Sequence, residues 1–562
     1  MKSDRSRRGT RRDIRYDEGG SLLIFNSKDV DSGQSTTGLD GRFVQSQLLI
    51  TCLLQMNTNQ TDREEFASRF REICEKNSKS VKDVDQFEKQ YASMDSLWWY
   101  TRDSFLYRKL NEALRNQDID LLFLFHFFIH DLEEQIQHCR CSESIDLYRG
   151  QIITKDELQA LRNSINSLIA FNSFLSTSRN IAIAYIYAGV EATLKDPELE
   201  HVLFEIRADS RQLGIKPFAD VSEMSQYPDE EEILIMLGAV FRVKEVVHDD
   251  NRQVWRIKMD LCSDDDCDVK SVVSHMGKQY DSMTDRLLRF AYVLIDMSHF
   301  KDAEKYLHRV LKDLPPHHPD IAKCHQALGK IYCEEGKYQS AHDDLGKALE
   351  FLRQTGGTSS QLAYLYNNIG EVYQNECKWT QALQSYKKAL KLFRKQFSEN
   401  DENIAWGCNN LGIIYEKQNN YQKADRCYAK ALRIKLKVLP PGHPCLGNVY
   451  NNIGNIHYHR KEYDQALEVY RMCYDIFEKS LKSRHPSMAR ISRNIGLTYE
   501  ALNQFEKAMV NFEKVLTIRK SILSPTHPDL LEIEKDITRI SAKIPSHVIS
   551  YYRTNSLNEK II

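Results

Sequence analysis

The sequence predicts two folds in one chain: an α+β domain in the amino-terminal half, then an all-α solenoid of stacked helical hairpins. Three observations predict this. At 562 residues the chain is too long for a single hydrophobic core. Residues 60–145 read in helix-length apolar patterns, whereas 146–261 reads as short β-rich runs between turn residues. Farther on, Gly370, Gly412, Gly454 and Gly496 recur every 42 residues, the mark of a repeat array.

Residues 1–59 are expected to form a basic, partly disordered arm. Its first sixteen residues, "MKSDRSRRGTRRDIRY", hold seven basic and two acidic side chains and no apolar core of a secretory signal. The formal net charge of −2 gives no electrostatic reason to expect nucleic acid or a membrane surface as partner. Thirteen cysteines, odd in number and scattered, fit reduced thiols and a cytoplasmic location. The pairs Cys139/Cys141 and Cys262/Cys267 lack the spacing of a zinc site, so no metal is expected.

The first domain is expected over 60–262, helical over 60–145 and β-rich over 146–262. "DREEFASRFREICEKN" and "SLWWYTRDSFLYRKLNEALRN" carry the helical pattern. "LLFLFHFFI" at 121–129 is too short to span a bilayer and reads as a buried helix. "HVLFEIRAD", "EEILIML", "VFRVKEVVHD" and "VWRIKMDL" read as strands. The acidic stretch "SDDDCDVKS" opens a linker over 263–283.

The solenoid is expected over 284–543, with a polar tail over 544–562. Nine residues past each glycine, counting Gly329 as the first, stand Tyr338, Trp379, Tyr421, Tyr463 and Phe505. Twelve past stand Ala341, Ala382, Ala424, Ala466 and Ala508. A small residue on each helix lets the pair approach, and the aromatic packs the turn between them. One hairpin cannot bury its apolar face alone, so copies stack. An earlier unit with Ala291, Phe300 and Ala303 reads as a capping repeat, giving about six hairpins and a terminal helix. The pattern resembles tetratricopeptide repeats of the kinesin-light-chain type, and "LPPHHPDIA" and "LPPGHPCLG" look like the links of that type. The recurring His318, His443, His485 and His527, each before proline, read as helix-boundary residues rather than ligands. The repeats are expected to bind a protein or peptide partner.

Three segments of the first domain carry candidate chemistry: "DLYRGQ" with Arg149 and Gly150, "FNSFLSTSRN" with Ser176, Thr177 and Ser178, and "YPDEEEILI" with Glu230 and Glu232. In this order they resemble the Arg, Ser-Thr-Ser and Glu-x-Glu signature of the arginine-modifying, toxin-like mono-ADP-ribosyltransferases. Taken singly they suit an exposed strand-end arginine, a helix cap and a solvated turn. The resemblance implies an α+β ADP-ribosyltransferase domain followed by the tetratricopeptide-repeat solenoid. It also implies NAD, or NADP, as substrate and a protein with an accessible arginine as acceptor.

The residue types suit that chemistry. A guanidinium is a planar clamp for phosphate oxygens, which fits Arg149 as the end of a strand. The resemblance places the Gly150 backbone against the nicotinamide, where the missing side chain admits the ring. It places Ser176 beside the carboxylate of Glu232, which faces the cation that develops on the ribose. If Glu230 and Glu232 lie on an extended strand, they share a face and Glu231 points away. Glu230 would then bind the acceptor arginine and draw off its proton, with Tyr227 as a further acceptor contact. NAD hydrolysis and a non-catalytic repeat scaffold are the alternatives.

Overall fold

A computed structural model describes residues 22–25, 41–56, 58, 60–74, 78–190, 196–263, 283, 285–439, 443–480, 486–522 and 528–544, except 103 and 213. The described residues form two compact units that divide between Tyr306 and Leu307.

The first unit joins a helical layer to one sheet. Its helices are α1 (Gly41–Gln55), α2 (Gln60–Cys74), α3 (Ser78–Gln90), α4 (Ser96–Thr101), α5 (Phe105–Asn116), α6 (Ile119–His138), α7 (Lys155–Arg162) and α8 (Ile181–Ala188). The strands are β1 (Leu22–Phe25), β2 (Ser144–Thr154), β3 (Leu168–Phe171), β4 (Leu175–Ser178), β5 (Leu199–Asp209), β6 (Phe218–Asp220), β7 (Glu232–Ile235), β8 (Val240–Asp249) and β9 (Val254–Leu261). They order as β1-β3-β8-β9-β5-β2-β4-β7-β6, and only β5 and β9 run parallel.

Helix α6 is the apolar stretch of 121–129. Asp118 caps it by accepting from the Leu121 amide, and its Phe125, Phe127 and Phe128 are buried. Phe66 of α2 and Phe87 of α3 stack edge-on against these rings. Aromatic packing of this kind supplies large apolar area and specific geometry, which fixes the helical layer. Among the described residues no helix is long and apolar enough to cross a membrane.

The boundaries differ from the sequence expectation at both ends. Part of the expected basic arm is structured: β1 pairs with β3, and α1 buries Leu48, Leu49 and Leu53. The reason is visible in "QLLITCLL", an apolar run that outweighs the charge of its neighbours. The strongly basic residues 1–16, most of the linker and the tail beyond 544 lie outside the described residues.

At the other end, the expected capping repeat begins with α9 (Arg286–Asp296) and α10 (Phe300–Asp313), and α9 packs on α1. Phe290 and Tyr306 close on Phe123 of α6 at 6.2 and 4.7 Å between ring centroids. Lys305 and Tyr306 both donate to Asp120, at 2.6 and 3.2 Å. The repeat-like pattern of this hairpin therefore buries its face in the first unit. The compact unit thus takes in residues up to Tyr306, beyond the expected domain.

The second unit is the solenoid: α11 (Asp320–Glu334), α12 (Tyr338–Gln354), α13 (Ser359–Asn375), α14 (Trp379–Gln396), α15 (Glu402–Lys417), α16 (Tyr421–Val438), α17 (Pro444–His459), α18 (Tyr463–Ser480), α19 (Pro486–Ala501), α20 (Phe505–Ile522) and α21 (Pro528–Ser541). Each expected aromatic opens the second helix of a hairpin, and each expected alanine is fully buried. A Cβ at Gly412 or Gly454 would stand 2.5 or 2.4 Å from the ring of Tyr428 or Tyr470 on the paired helix. The 42-residue glycine is thus the seat of an aromatic ring.

Consecutive first helices are tied by an asparagine ladder. Asn410 donates to Asn367 at 2.9 Å, Asn452 to Asn409 at 3.2 Å, and Asn494 to Asn451 at 2.9 Å. His443 caps α17 by accepting from the Cys445 amide, and His318 accepts from the Asp320 amide. Both therefore serve as helix-boundary residues, while His485 and His527 lie outside the described residues.

Candidate active site

The site begins with a split in the sheet. Strand β2 pairs with β5 along eleven residues but meets β4 at one bridge, Tyr148↔Ser178. Arg149 and Gly150 follow that bridge immediately. They lie inside β2 rather than at its end, because the strand continues to Thr154.

Arg149 reaches across the split. Its Nη1 donates to the Ser176 carbonyl at 2.9 Å, and its Nε donates to Gln151 Oε1 at 3.3 Å. A guanidinium carries five N–H donors, so the remaining ones can serve an anion without breaking this anchor.

Gly150 has a structural use of its own. A Cβ there would lie 1.7 Å from the Ala184 carbonyl oxygen and 2.4 Å from the Ala188 nitrogen. Helix α8 occupies the space that the missing side chain leaves. The glycine admits a helix backbone on this side, which no larger residue tolerates.

The Ser-Thr-Ser segment is strand β4, and the helix cap beside it is Asn180, which accepts from the Ala182 amide at 3.0 Å. Strand alternation gives its three hydroxyls different tasks. Ser176 Oγ donates to Glu232 Oε1 at 2.5 Å. Thr177 Oγ1 donates to the Ile233 carbonyl at 2.8 Å, which locks β4 to β7. Ser178 Oγ donates to the Glu230 carbonyl at 2.8 Å and accepts from the Asn180 amide at 3.0 Å.

Glu232 opens β7 and is 4% exposed. Its second oxygen faces Ser225 Oγ at 3.4 Å. The buried Tyr100 hydroxyl lies close enough to feel both Glu232 and Arg149. Burial pushes its pKa well above the usual tyrosine value, with Tyr107 and Glu232 adding to the shift and Arg149 and the Asn111 hydrogen bond opposing it. Through Ser176, carboxylate and guanidinium share one neighbourhood.

The glutamate triplet does not continue the strand. Pro228–Glu230 forms a single 3₁₀ turn, and Glu231 takes a left-handed conformation at φ 47°. Strand alternation therefore does not relate Glu230 to Glu232. The proline-initiated turn ends in a reversal, and pairing starts only at Glu232. Glu230 is instead aimed by another element: Tyr187 Oη, on α8, donates to Glu230 Oε1 at 2.8 Å. Tyr227 is half-buried at the head of the turn, where its carbonyl accepts from the Glu230 amide and its own amide donates to Ser225 Oγ.

Ser225, Tyr187 and Tyr100 are the site neighbours that sequence reasoning missed. Tyr187 lies nine residues past Ser178 in "IAIAYIYA", and a hydroxyl within an apolar helix is the signal that could have found it. Elsewhere in the first unit, His130, Asp131 and Glu134 bring potential metal-ligand atoms within 4.8 Å of one another. Asp131 there already accepts from Tyr91 at 2.6 Å and faces the Arg63 guanidinium at 3.4 Å, a cation that opposes a second one.

Residues 77–262 match the family described as ADP-ribosyltransferase exoenzyme, and residues 361–437 and 445–521 match the tetratricopeptide repeat. The chain therefore carries an ADP-ribosyltransferase exoenzyme domain, of a class that takes NAD as substrate, ahead of a tetratricopeptide-repeat solenoid. No curated protein matches the chain. Among solved structures, BtubC (BKLC) from P. vanneervenii is 19% identical over 41% of this chain and 92% of its own, with a TM-score of 0.34. A putative kinesin light chain from Podosopora anserina is 19% identical over 37% and 99%, with a TM-score of 0.32. An ADP-ribosyltransferase from Clostridium botulinum is 14% identical over 33% and 94%, with a TM-score of 0.23.

Proposed function

We propose that this ADP-ribosyltransferase domain transfers ADP-ribose from NAD to an arginine side chain of a protein acceptor, and that the solenoid docks the acceptor or a partner. The observation that carries the reading is one serine shared by two charged groups. The Ser176 hydroxyl orients the Glu232 carboxylate, and its carbonyl holds Arg149 across the split in the sheet.

In this reading Arg149 grips the pyrophosphate of NAD. The bond between the nicotinamide nitrogen and the ribose C1′ breaks, and nicotinamide leaves with the bonding pair. Glu232, buried and fixed, stabilises the oxocarbenium-like cation that remains. An arginine nitrogen then bonds to C1′. A protonated guanidinium is a poor nucleophile, with a pKa above about 12. Glu230 binds it and accepts the proton released as the new bond forms. Thr177 and Ser178 hold β4 against β7 and the turn, and Tyr227 contributes to the acceptor side.

The solenoid adds effective concentration: an acceptor tethered to the repeats meets the site without a second diffusive search. A cytoplasmic setting, with NAD or NADP as the dinucleotide, suits this activity.

The test is a pair of variants. Glu232→Gln is expected to abolish labelling of arginine acceptors with the unfolding temperature unchanged, and normal labelling by it would end the assignment. Glu230→Gln is expected to lose arginine transfer while retaining NAD hydrolysis. Equal loss of both activities would leave the two glutamates without separate roles.

A further inference from the structure

A cationic pocket lies in the solenoid, in the second unit. It has a volume of about 410 Å³ and is walled by two second helices of neighbouring repeats. Lys387, Lys391 and Arg394 stand on α14, and Arg426 and Lys430 on α16. Spacings of three and four residues put each set on one stripe of its helix, so two rows of positive charge face one cavity. The floor is α15, through Leu411 and Tyr415. Asn409 and Asn410 of α15, which build the asparagine ladder, are not among the residues that line it.

No residue lining the pocket is acidic. Glu399 approaches one end, where it pairs with Lys430 and lies 3.5 Å from Arg394. It does not balance Lys387, Lys391 and Arg426. A chain with formal net charge −2 has no bulk excess of cations to scatter, so five around one cavity is a local concentration. A cleft of one charge sign focuses the field and collects counter-charge.

The geometry points to a phosphorylated side chain of a protein segment as the occupant of this pocket. Two features favour it over an extended acidic peptide. The cations converge on a single cavity, whereas a run of carboxylates needs a track along the solenoid. Two of them are arginines, whose planar forks match phosphate oxygens and form the strong charge-assisted pairs. A phosphoryl group brings about −1.5 to −2 of charge and three acceptor oxygens to one point. The apolar floor of Leu411 and Tyr415 covers the carbon stem that carries it. This site is independent of the catalytic reading and stands or falls without it.

The test uses the full-length protein and fluorescence anisotropy. The probes are labelled degenerate peptide libraries fixed at one position as phosphoserine, phosphothreonine or phosphotyrosine, with matched unphosphorylated and glutamate libraries. At least one phosphorylated library is expected to bind, to weaken with added salt, and to bind at least tenfold more tightly than its unphosphorylated and glutamate counterparts. Arg394→Ser with Arg426→Ser should weaken that binding at least tenfold. Lys387→Ser alone, a milder surface change, should weaken it in the same direction. The proposal is overturned if no phosphorylated library binds, or if the glutamate library binds equally. It is also overturned if both variants, folded as judged by circular dichroism, bind as the parent does. Displacement by inorganic phosphate at the peptide's own affinity would reduce the pocket to an adventitious anion site and overturn it too.

Discussion

The Ser176 hydroxyl donates to Glu232 at 2.5 Å while the carbonyl of the same residue accepts from Arg149 at 2.9 Å. One residue of β4 thus fixes both the carboxylate and the guanidinium. Ser176→Ala removes a hydrogen bond to a charged group, worth about 1.5–3 kcal/mol. Transfer is expected to fall roughly 10- to 100-fold, with NAD affinity changed less than turnover. Steady-state kinetics of the variant checks this, and wild-type turnover would show that Glu232 needs no such support.

Tyr187 holds Glu230 from α8 at 2.8 Å. Its removal should act on the acceptor step and leave nicotinamide release alone. Tyr187→Phe is expected to lower arginine transfer about tenfold, the size of one hydrogen bond to a charged group. NAD hydrolysis should stay within about twofold, which is within the effect of a distant surface change. Parallel assays on one preparation separate the two outcomes. A matched fall in both would mean that Tyr187 merely supports the fold.

Gly150→Ala places a methyl group 1.7 Å from a helix carbonyl oxygen, and backbone cannot turn aside as a side chain can. Overpacking of this kind costs about 1–3 kcal/mol and occasionally more. The variant is expected to lose thermal stability and, with α8 displaced, the aim of Tyr187 as well. Denaturant titration followed with Trp fluorescence reads the first effect. An unchanged midpoint would show that α8 moves aside at no cost.

In the solenoid, Gly454→Ala tests the repeat itself. The added Cβ meets the Tyr470 ring at 2.4 Å. The cost of about 1–3 kcal/mol exceeds the gain of about 1 kcal/mol that alanine brings to a helix. In a Tyr470→Ala background, where the ring is gone, Gly454→Ala is expected to cost less than in the parent. An equal cost in both backgrounds would place it elsewhere than the ring.

An acid-side effect is expected at the end of the solenoid. Arg539 donates twice to Glu500, at 2.9 and 2.8 Å, and that hydrogen bonding holds the Glu500 carboxyl below the usual carboxylate range. Because the folded pKa is the lower one, the contribution is complete above the unfolded value of about 4.3. It disappears as the pH falls through the folded pKa. Arg539→Met should therefore lower stability at neutral pH by about 0.2–1 kcal/mol, as for a largely solvent-screened pair. The gap to the parent should close on acidification. A constant gap across the range would separate the loss from this carboxylate.

Much of this protein was legible in short spans. A 42-residue period needs only one chemical fact, that a glycine seats a ring from the paired helix, and so it fixes the hairpins wherever it occurs. The start of β7 was likewise visible in "EEILIML", whereas the strand β4 was not, because its Ser-Thr-Ser, taken singly, reads as a helix cap. What the sequence left open has one physical form. The hairpin at 286–313 has a repeat-like pattern, yet Phe290 and Tyr306 pack on Phe123 of α6. A periodic apolar face states that something covers it and does not state what. Glu230 presents the same difficulty, because alternation holds only while the backbone is extended. A left-handed Glu231 breaks it, so that a tyrosine 43 residues away aims the carboxylate. The sequence by itself determined which residues carry the charge, the hydroxyls and the repeat. Only the tertiary structure decided which of them meet, because contacts between distant segments depend on how whole elements pack and not on the residues beside them.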